Sequence, residues 1–204
     1  FPAVMQKVYL WMALALAMTG LTSLAVVTQP ALMNAIFSAP FLFYGLLIAE
    51  VGLVWFLSAR IHKLSFMTAG VLFAVYAILN GVTLSSIFLV YAQATIVNAF
   101  LITAGTFGAM SFVGLFIKKD LSMMGRILTM AVIGLIIALV VNMFWGNSMF
   151  DLLISLAGVV IFTGLTAYDT LKIKRLVTQY TQMDEESTMK VALMGSLTLY
   201  LDFV

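Results

Sequence analysis

Two aspartates, Asp169 and Asp202, lie in otherwise apolar stretches, where a carboxyl group is able to bind and release protons. Asp169 belongs to Gly164-Leu-Thr-Ala-Tyr-Asp-Thr-Leu-Lys-Ile-Lys-Arg175, and Asp202 belongs to Leu199-Tyr-Leu-Asp-Phe203. A charged side chain at the bilayer centre costs roughly 2.5–3.5 kcal/mol on insertion scales, so each acid needs a partner or water. Two neighbouring carboxyls in a low dielectric share one proton and titrate in two coupled steps.

Several charged residues in or beside the apolar stretches allow more than one interpretation. Asp169 lies three residues before Lys172, so an interfacial anchoring role beside Tyr168 is the alternative to an intramembrane acid. Arg60 is either a neighbour of the acids or an ordinary base that extends to the membrane surface. Glu50 lies about 15 Å from Arg60 along the same predicted helix, which is too far for a salt bridge. We therefore expect Glu50 to face a cavity.

The composition is that of a polytopic membrane protein. Hydrophobic residues make up 64% of the 204 residues and charged residues 9%, and the mean hydropathy is +1.16. A soluble domain carries about 25% charged residues. Six apolar runs are long enough to cross a bilayer, since a spanning helix needs about 20 residues. They are Val8–Val27, Phe41–Ala59, Phe66–Tyr91, Ala94–Ile117, Ile127–Trp145 and Leu152–Thr170.

A seventh run begins near Val191 and is only about two thirds of the length that a span requires. We therefore expect the natural chain to continue past Val204, and the start at Phe1 without a methionine predicts missing residues there as well. Lipid leaves backbone groups without partners unless they bond within helices or closed barrels, and the runs lack the alternation of barrel strands. Short connections predict one integral membrane domain over residues 1–204.

The basic residues predict the orientation of the spans. With six spans counted as above, every Lys and Arg falls in alternate connections, which places the N-terminus in the cytoplasm by the positive-inside rule. The polar segment Lys172–Lys190 contains Thr181-Gln-Met-Asp184, followed by two glutamates. This pattern predicts a capped helix start before the membrane, and a solvated acidic loop is the alternative. Small residues four apart predict close helix contacts, and the pairs are Gly70/Ala74, Gly81/Ser85, Ala104/Gly108 and Gly134/Ala138.

Several kinds of chemistry are excluded or disfavoured by the residue types. There is no cysteine, and His62 is the single histidine, so multi-histidine metal clusters and thiolate sites are excluded. The sequence contains no Gly-x-Ser-x-Gly motif and no phosphate-binding loop. We expect no enzymatic activity, no cofactor, no tightly bound metal and no nucleic-acid partner.

Five ordered segments carry a resemblance to the bacterial branch of the transmembrane Bax inhibitor motif family. They are Asn80-Gly-Val-Thr-Leu-Ser-Ser-Ile-Phe-Leu-Val-Tyr91, Thr103-Ala-Gly-Thr-Phe-Gly-Ala-Met-Ser111, Lys119-Asp-Leu-Ser122, Gly164-Leu-Thr-Ala-Tyr-Asp-Thr170 and Leu197-Thr-Leu-Tyr-Leu-Asp-Phe203. The resemblance implies an all-α bundle of seven transmembrane helices with the last helix central. It also implies a pH-sensitive calcium leak, in which Asp169 and Asp202 form the proton-sensing pair and Arg60 is their neighbour.

Calcium prefers six to eight oxygen ligands, and few acids line any path through this chain. We expect Glu50, Asn80 and Asn142 to contribute to an ion pathway that binds calcium weakly. Protons, lipid and other membrane proteins are the remaining expected partners, and a bacterial inner membrane is the expected location. Two aspartates on neighbouring helices are also typical of intramembrane aspartyl proteases, but those enzymes carry Gly-x-Gly-Asp where this chain has Leu199-Tyr-Leu-Asp202. A non-conducting membrane scaffold that regulates the stress response is the third alternative.

Overall fold

The computed structural model describes residues 2–117, 122–180 and 184–204, and these residues are almost entirely helical. A 3-10 helix, Ser85–Leu89, continues the fourth α-helix. The α-helices are α1 (Pro2–Val27), α2 (Pro30–Phe37), α3 (Pro40–Arg60), α4 (Phe66–Leu84), α5 (Gln93–Phe116), α6 (Ser122–Trp145), α7 (Ser148–Tyr180) and α8 (Glu185–Phe203). The predicted all-α fold is confirmed.

Six helices in the described part of the chain are long and apolar enough to span a membrane: α1, α3, α4 with its 3-10 extension, α5, α6 and α7. They coincide with the six predicted spans, and the protein is therefore an all-α polytopic membrane protein. The last helix, α8, has 19 residues and carries Glu185, Glu186 and Lys190 near its start. The count of seven spans stays a prediction.

Two predicted spans end differently in the structure, and one short helix was not predicted. The run predicted as one span over Phe66–Tyr91 leaves α-helical geometry after Leu84 and tightens into the 3-10 helix. Helix α7 continues to Tyr180, well past the predicted end at Thr170. Helix α2 was not predicted, because an eight-residue helix is too short to produce a spanning apolar run.

Helix α8 begins at Glu185, which confirms a helix start inside the polar segment rather than near Val191. Residues 181–183 of the predicted capping sequence lie outside the described residues. Asp184 is the capping residue: its carboxylate accepts hydrogen bonds from the Ser187 hydroxyl (2.7 Å) and the Ser187 backbone N–H (3.3 Å). Both bonds hold the pKa of Asp184 below its ordinary value of 3.8, and the bond from the hydroxyl has the larger effect.

The Asp184 cap predicts a pH-dependent start of α8. The pKa of Asp184 is lower in the folded protein than in the unfolded one. The cap therefore stabilises the fold fully at pH values above the ordinary pKa, and this stabilisation is lost as the pH falls through the lowered pKa. Asp184→Ala is expected to accelerate amide exchange in the first turn of α8 at neutral pH, with a smaller difference from wild type in acid. Glu185→Ala removes the same charge without removing the cap, so exchange in that variant should stay close to wild type. Equal exchange in the two variants at neutral pH would contradict the cap.

The helices group into two compact units. One comprises Phe1–Leu101 and Leu176–Tyr200, and the other comprises Ile102–Arg175 and Leu201–Val204. In the first unit α8 packs on α1 and α4. The Ser196 hydroxyl donates to the Val8 carbonyl (2.8 Å), and the Tyr200 ring meets two rings of α4 edge-on. Every residue of α8 from 191 to 200 is buried or half-buried.

In the second unit α5 and α6 pack closely on α7. A Cβ atom at Gly114 of α5 would lie 2.6 Å from the Ala167 carbonyl oxygen of α7, and one at Gly125 of α6 would overlap the Tyr168 ring. The Phe203 ring at the end of α8 meets the Phe107 ring of α5 with centroids 5.5 Å apart. In the first unit α8 thus contacts α1 and α4, and in the second unit its end contacts α5. A central position of the last helix stays a prediction.

Candidate functional site

The second unit brings Asp169 and Asp202 together. Asp169 lies on α7 and Asp202 in the last turn of α8, and their carboxyl groups are within hydrogen-bonding distance. Asp169 is only 8% exposed. Among the described residues, no donor reaches the buried Oδ2 atom of Asp202. The structure therefore contains the acid pair that the family resemblance implied.

Packing on both helices determines where the pair lies. On α7, Asp169 adjoins a buried face formed by Ala167 and Thr170. Gly114 allows this face to approach α5 closely, because a side chain at that position would overlap α7. On α8, the ring contact between Phe203 and Phe107 holds the residue next to Asp202 against α5. The two carboxyls therefore meet where α7 and the end of α8 pack on the same helix.

A cavity of about 360 Å³ adjoins Asp202 within the second unit. Its hydroxyl groups come from α5 and α7, and the lining residues that can form hydrogen bonds with their side chains are Thr103, Thr106, Thr163, Thr166 and Asp202. Because a water molecule occupies about 30 Å³ in the liquid, the cavity can admit several waters to the carboxyl. The rest of the lining is largely apolar, which keeps the local dielectric low and the interaction between the two acids strong.

Two basic residues follow Asp169 on α7. Lys172 is close enough to Asp169 to interact with it electrostatically. The Lys174 ammonium group donates to the Leu115 carbonyl at the end of α5 (2.6 Å), which satisfies a terminal carbonyl of that helix. This hydrogen bond joins α7 to the end of α5 on the C-terminal side of Asp169. Sequence reasoning did not assign Lys174 this role.

Arg60 belongs to the first unit, where it ends α3. Its side chain is exposed, and the guanidinium carbon lies 5.8 Å from the centroid of the Phe56 ring. This is the geometry of a cation–π contact. The role of Arg60 as a neighbour of the acid pair stays a prediction.

Glu50 and Asn80, both predicted to line an ion pathway, lie in a buried polar cluster of the first unit. Glu50 of α3 is 8% exposed and accepts a hydrogen bond from the Thr83 hydroxyl of α4. The Asn80 amide donates to the Tyr200 hydroxyl (2.9 Å). Glu50 also lies within electrostatic range of Tyr200. The first unit thus contains a carboxyl and an amide that lie close to the same tyrosine of α8.

Tyr200 also connects the polar cluster to α1. Its hydroxyl lies 2.6 Å from the Thr19 hydroxyl, which in turn donates to the Ala77 carbonyl (2.8 Å). Asn80, Tyr200 and Thr19 therefore form one directional chain of hydrogen bonds. Sequence reasoning missed Thr19 and Tyr200 as members of the cluster. The available signal was the polar Tyr200 inside an otherwise apolar segment, because a buried tyrosine usually finds a hydrogen-bond partner.

Asn142, the third predicted ion-pathway residue, lies in the second unit at the turn between α6 and α7. Its side-chain amide donates to the Asp151 carboxylate, and its side-chain oxygen accepts from the Asn147 backbone N–H (3.3 Å). Gly146 adopts a φ of 59°, a conformation that favours glycine, in the same turn. Asn142 therefore helps to shape the turn, and its role in an ion pathway stays a prediction.

Comparison with known proteins identifies the family. The family model described as inhibitor of apoptosis-promoting Bax1 matches residues 2–204. The chain belongs to this family. The inner membrane protein YbhL of Escherichia coli K12 is 42% identical over 200 residues, which cover 98% of this chain and 86% of YbhL. The chain is also similar to an uncharacterized protein of Borreliella burgdorferi, which is 43% identical over 198 residues covering 97% of this chain and 85% of the relative.

A third relative is an uncharacterized protein of Deinococcus radiodurans, 41% identical over 200 residues that cover 98% of this chain and 84% of the relative. The family match confirms the resemblance that the five ordered sequence segments indicated. The relative described as an inner membrane protein, together with the six apolar helices, identifies the chain as an integral membrane protein.

Proposed function

We propose that this protein is a pH-sensitive calcium leak channel in which the Asp169–Asp202 pair controls opening. The observation that carries the proposal is the contact between two carboxyl groups, that of the buried Asp169 on α7 and that of the half-buried Asp202 on α8. Carboxylate oxygens only accept hydrogen bonds, so two of them in contact require a proton between them. In the described part of the chain no group donates a hydrogen bond to Oδ2 of Asp202, which supports a proton held by the pair itself.

In the closed state one proton is shared and joins α7 to the end of α8. Loss of this proton leaves two like charges in contact, which repel strongly where the dielectric is low. Addition of a second proton replaces a charge-assisted hydrogen bond by a weaker neutral one. Either change favours a conformation in which the two helices separate, so the response to pH is a population shift between closed and open bundles.

The permeant ion is calcium, which oxygen ligands along the path would bind weakly. Glu50, Asn80 and Asn142 are the candidate ligands besides the acid pair. With few carboxylates along the path, binding is too weak to trap the ion, as conduction requires. The protein acts in a bacterial inner membrane with its N-terminus in the cytoplasm, and it works without a catalytic step or a cofactor.

Calcium flux through purified protein in liposomes tests this function. Coupling between a bound ligand and a conformational equilibrium is typically worth about 1–3 kcal/mol, so we expect the wild-type flux to change roughly 5- to 150-fold between acid and neutral pH. It should be lowest where one proton is shared. Asp169→Asn and Asp202→Asn each remove one titrating group, and the pH dependence should largely disappear in both variants.

Glu185→Gln is the matched control, because it makes the same change from acid to amide at an exposed residue of α8. Its flux should follow the wild-type pH profile. An unchanged profile in both aspartate variants would refute the sensor. An absence of flux through the purified wild-type protein would instead favour the non-conducting scaffold.

A further inference from the structure

Helix α2 is uncharged and mostly apolar. Its sequence is Pro30-Ala-Leu-Met-Asn-Ala-Ile-Phe37, in which Asn34 is the one polar side chain. No Asp, Glu, Lys, Arg or His occurs between Lys7 and Glu50. Pro30 occupies the first turn, where its missing N–H removes no intrahelical hydrogen bond. The connection between α1 and α3 is thus a preformed apolar helix, whereas a polar loop would be usual between two spans.

The protein covers one side of α2 only, and no residue of the helix is fully buried. Met33, Ile36 and Phe37 are half-buried, and their i, i+3, i+4 spacing places them on one face. The Phe37 ring lies 5.5 Å from the Phe43 ring of α3. Leu32 lies at the edge of this face, one turn before Ile36, and is 41% exposed. An isolated eight-residue helix is not stable in water, so α2 depends on its contacts with α1 and α3.

The two spans that flank α2 expose apolar side chains. Leu21 of α1 and Phe41 of α3 are 68% and 78% exposed, and both helices are candidate membrane spans. Only two residues separate α2 from each of these helices. Since an extended residue covers at most about 3.6 Å, each end of α2 stays within roughly 10 Å of a membrane span. The helix cannot leave the edge of the bilayer.

Leu32 and Asn34 point in nearly opposite directions. Residues two positions apart on an α-helix differ by about 200° around its axis. A helix that lies in the bilayer plane with Leu32 directed toward the acyl chains would therefore direct Asn34 toward the headgroups and water. This division into an apolar and a polar side is the pattern of interfacial helices.

We propose that α2 is an interfacial membrane-binding helix that lies along the bilayer surface, with Leu32 in the acyl region and Asn34 at the headgroups. The partner is the lipid surface of the same bilayer that the spans cross. Because the helix carries no charge, its membrane contact depends on apolar burial and requires neither anionic lipid nor low salt. The helix thereby fixes the depth at which α1 ends and α3 begins.

Site-directed spin labelling tests the proposal directly, since the chain contains no cysteine to remove. Single cysteines at Leu32 and Asn34 are labelled with a nitroxide in the full chain, reconstituted in phosphatidylcholine vesicles. Collision rates with oxygen, which partitions into lipid, and with a water-soluble nickel chelate are then compared. Ile48, which is 73% exposed within α3, is the lipid reference, and the exposed loop residue His62 is the water reference.

The expected ratio of oxygen to nickel collisions at Leu32 is close to that at Ile48, and the ratio at Asn34 is close to that at His62. Neither ratio should change with added salt or anionic lipid. Two ratios like that of His62 would overturn the proposal in favour of a helix in water, and two ratios like that of Ile48 would overturn the surface placement. Protection from both reagents with spin–spin broadening would assign the helix to contact with a second copy. Each result is independent of calcium flux.

Discussion

Replacing Tyr200 by alanine is expected to lower the free energy of unfolding by about 3 kcal/mol, because the residue is fully buried and its removal leaves a cavity. Its ring meets the rings of Phe73 and Tyr76 edge-on, with centroids 5.5 and 5.9 Å apart. Lipid tails are as apolar as these rings, so the loss comes from packing contacts and the cavity rather than from transfer to water. Unfolding in a denaturing-detergent titration measures the change.

Tyr200→Phe separates the hydroxyl from the ring. The variant keeps the ring contacts but leaves the Asn80 amide without its acceptor and the Thr19 hydroxyl without one of its partners. Hydrogen bonds between membrane helices contribute about 0.6 kcal/mol on average and up to about 1.7. We therefore expect a loss of about 1 kcal/mol, clearly smaller than that of the alanine variant.

Tyr44→Ala is the control for the removal of a tyrosine ring, since Tyr44 is 63% exposed. Substitutions at such positions usually change stability by no more than about 0.5 kcal/mol. Equal destabilisation by Tyr200→Ala and Tyr44→Ala would show that the contacts of Tyr200 with α1 and α4 do not stabilise the first unit.

Gly114→Ala is expected to destabilise the second unit by about 1–3 kcal/mol, the usual effect of overpacking. Its new Cβ atom would lie 2.6 Å from the Ala167 carbonyl oxygen and 2.9 Å from the Thr170 Cβ atom. Neither is the end of a flexible side chain, so α5 and α7 must move apart. Because Thr170 is next to Asp169, we also expect the acid pair to be disturbed and the pH profile of calcium flux to shift.

Gly105→Ala makes the same substitution on the same helix, where nothing lies within 4 Å of the added atom. Alanine favours a helix over glycine by about 1 kcal/mol, so this variant should be as stable as wild type or more stable. The opposite signs of the two effects make the comparison decisive. If both substitutions stabilised the protein in the same detergent titration, the close approach of α5 to α7 at Gly114 would be wrong.

Sequence alone determined the elements whose properties are local. The six spans follow from the length and apolarity of continuous runs, and the structure confirms all six. The start of α8 also follows from local chemistry, because an acidic first turn after Asp184 favours a helix N-terminus wherever the helix later packs. The sequence also shows that Asp169 and Asp202 need partners, because an unpaired charge is unfavourable in any apolar stretch.

Tertiary structure decided which residues meet. Small-residue spacing predicted close contacts that the structure confirms at Gly81, where an added Cβ atom would lie 2.5 Å from the Thr19 carbonyl oxygen. At Gly108 and Gly134 nothing lies within 4 Å of such an atom. Gly114 and Gly125 are close contacts that the spacing did not predict. Spacing defines a stripe along a helix but not the neighbour that the stripe faces, because lipid and protein are equally apolar there.

The same limit applies to the polar cluster of the first unit. Tyr200 bonds to Thr19 across 181 positions and to Asn80 across 120. A residue's type shows that it needs a hydrogen-bond partner, but chain separation carries no information about which one. That choice depends on how the helices pack, and packing is a property of the whole bundle.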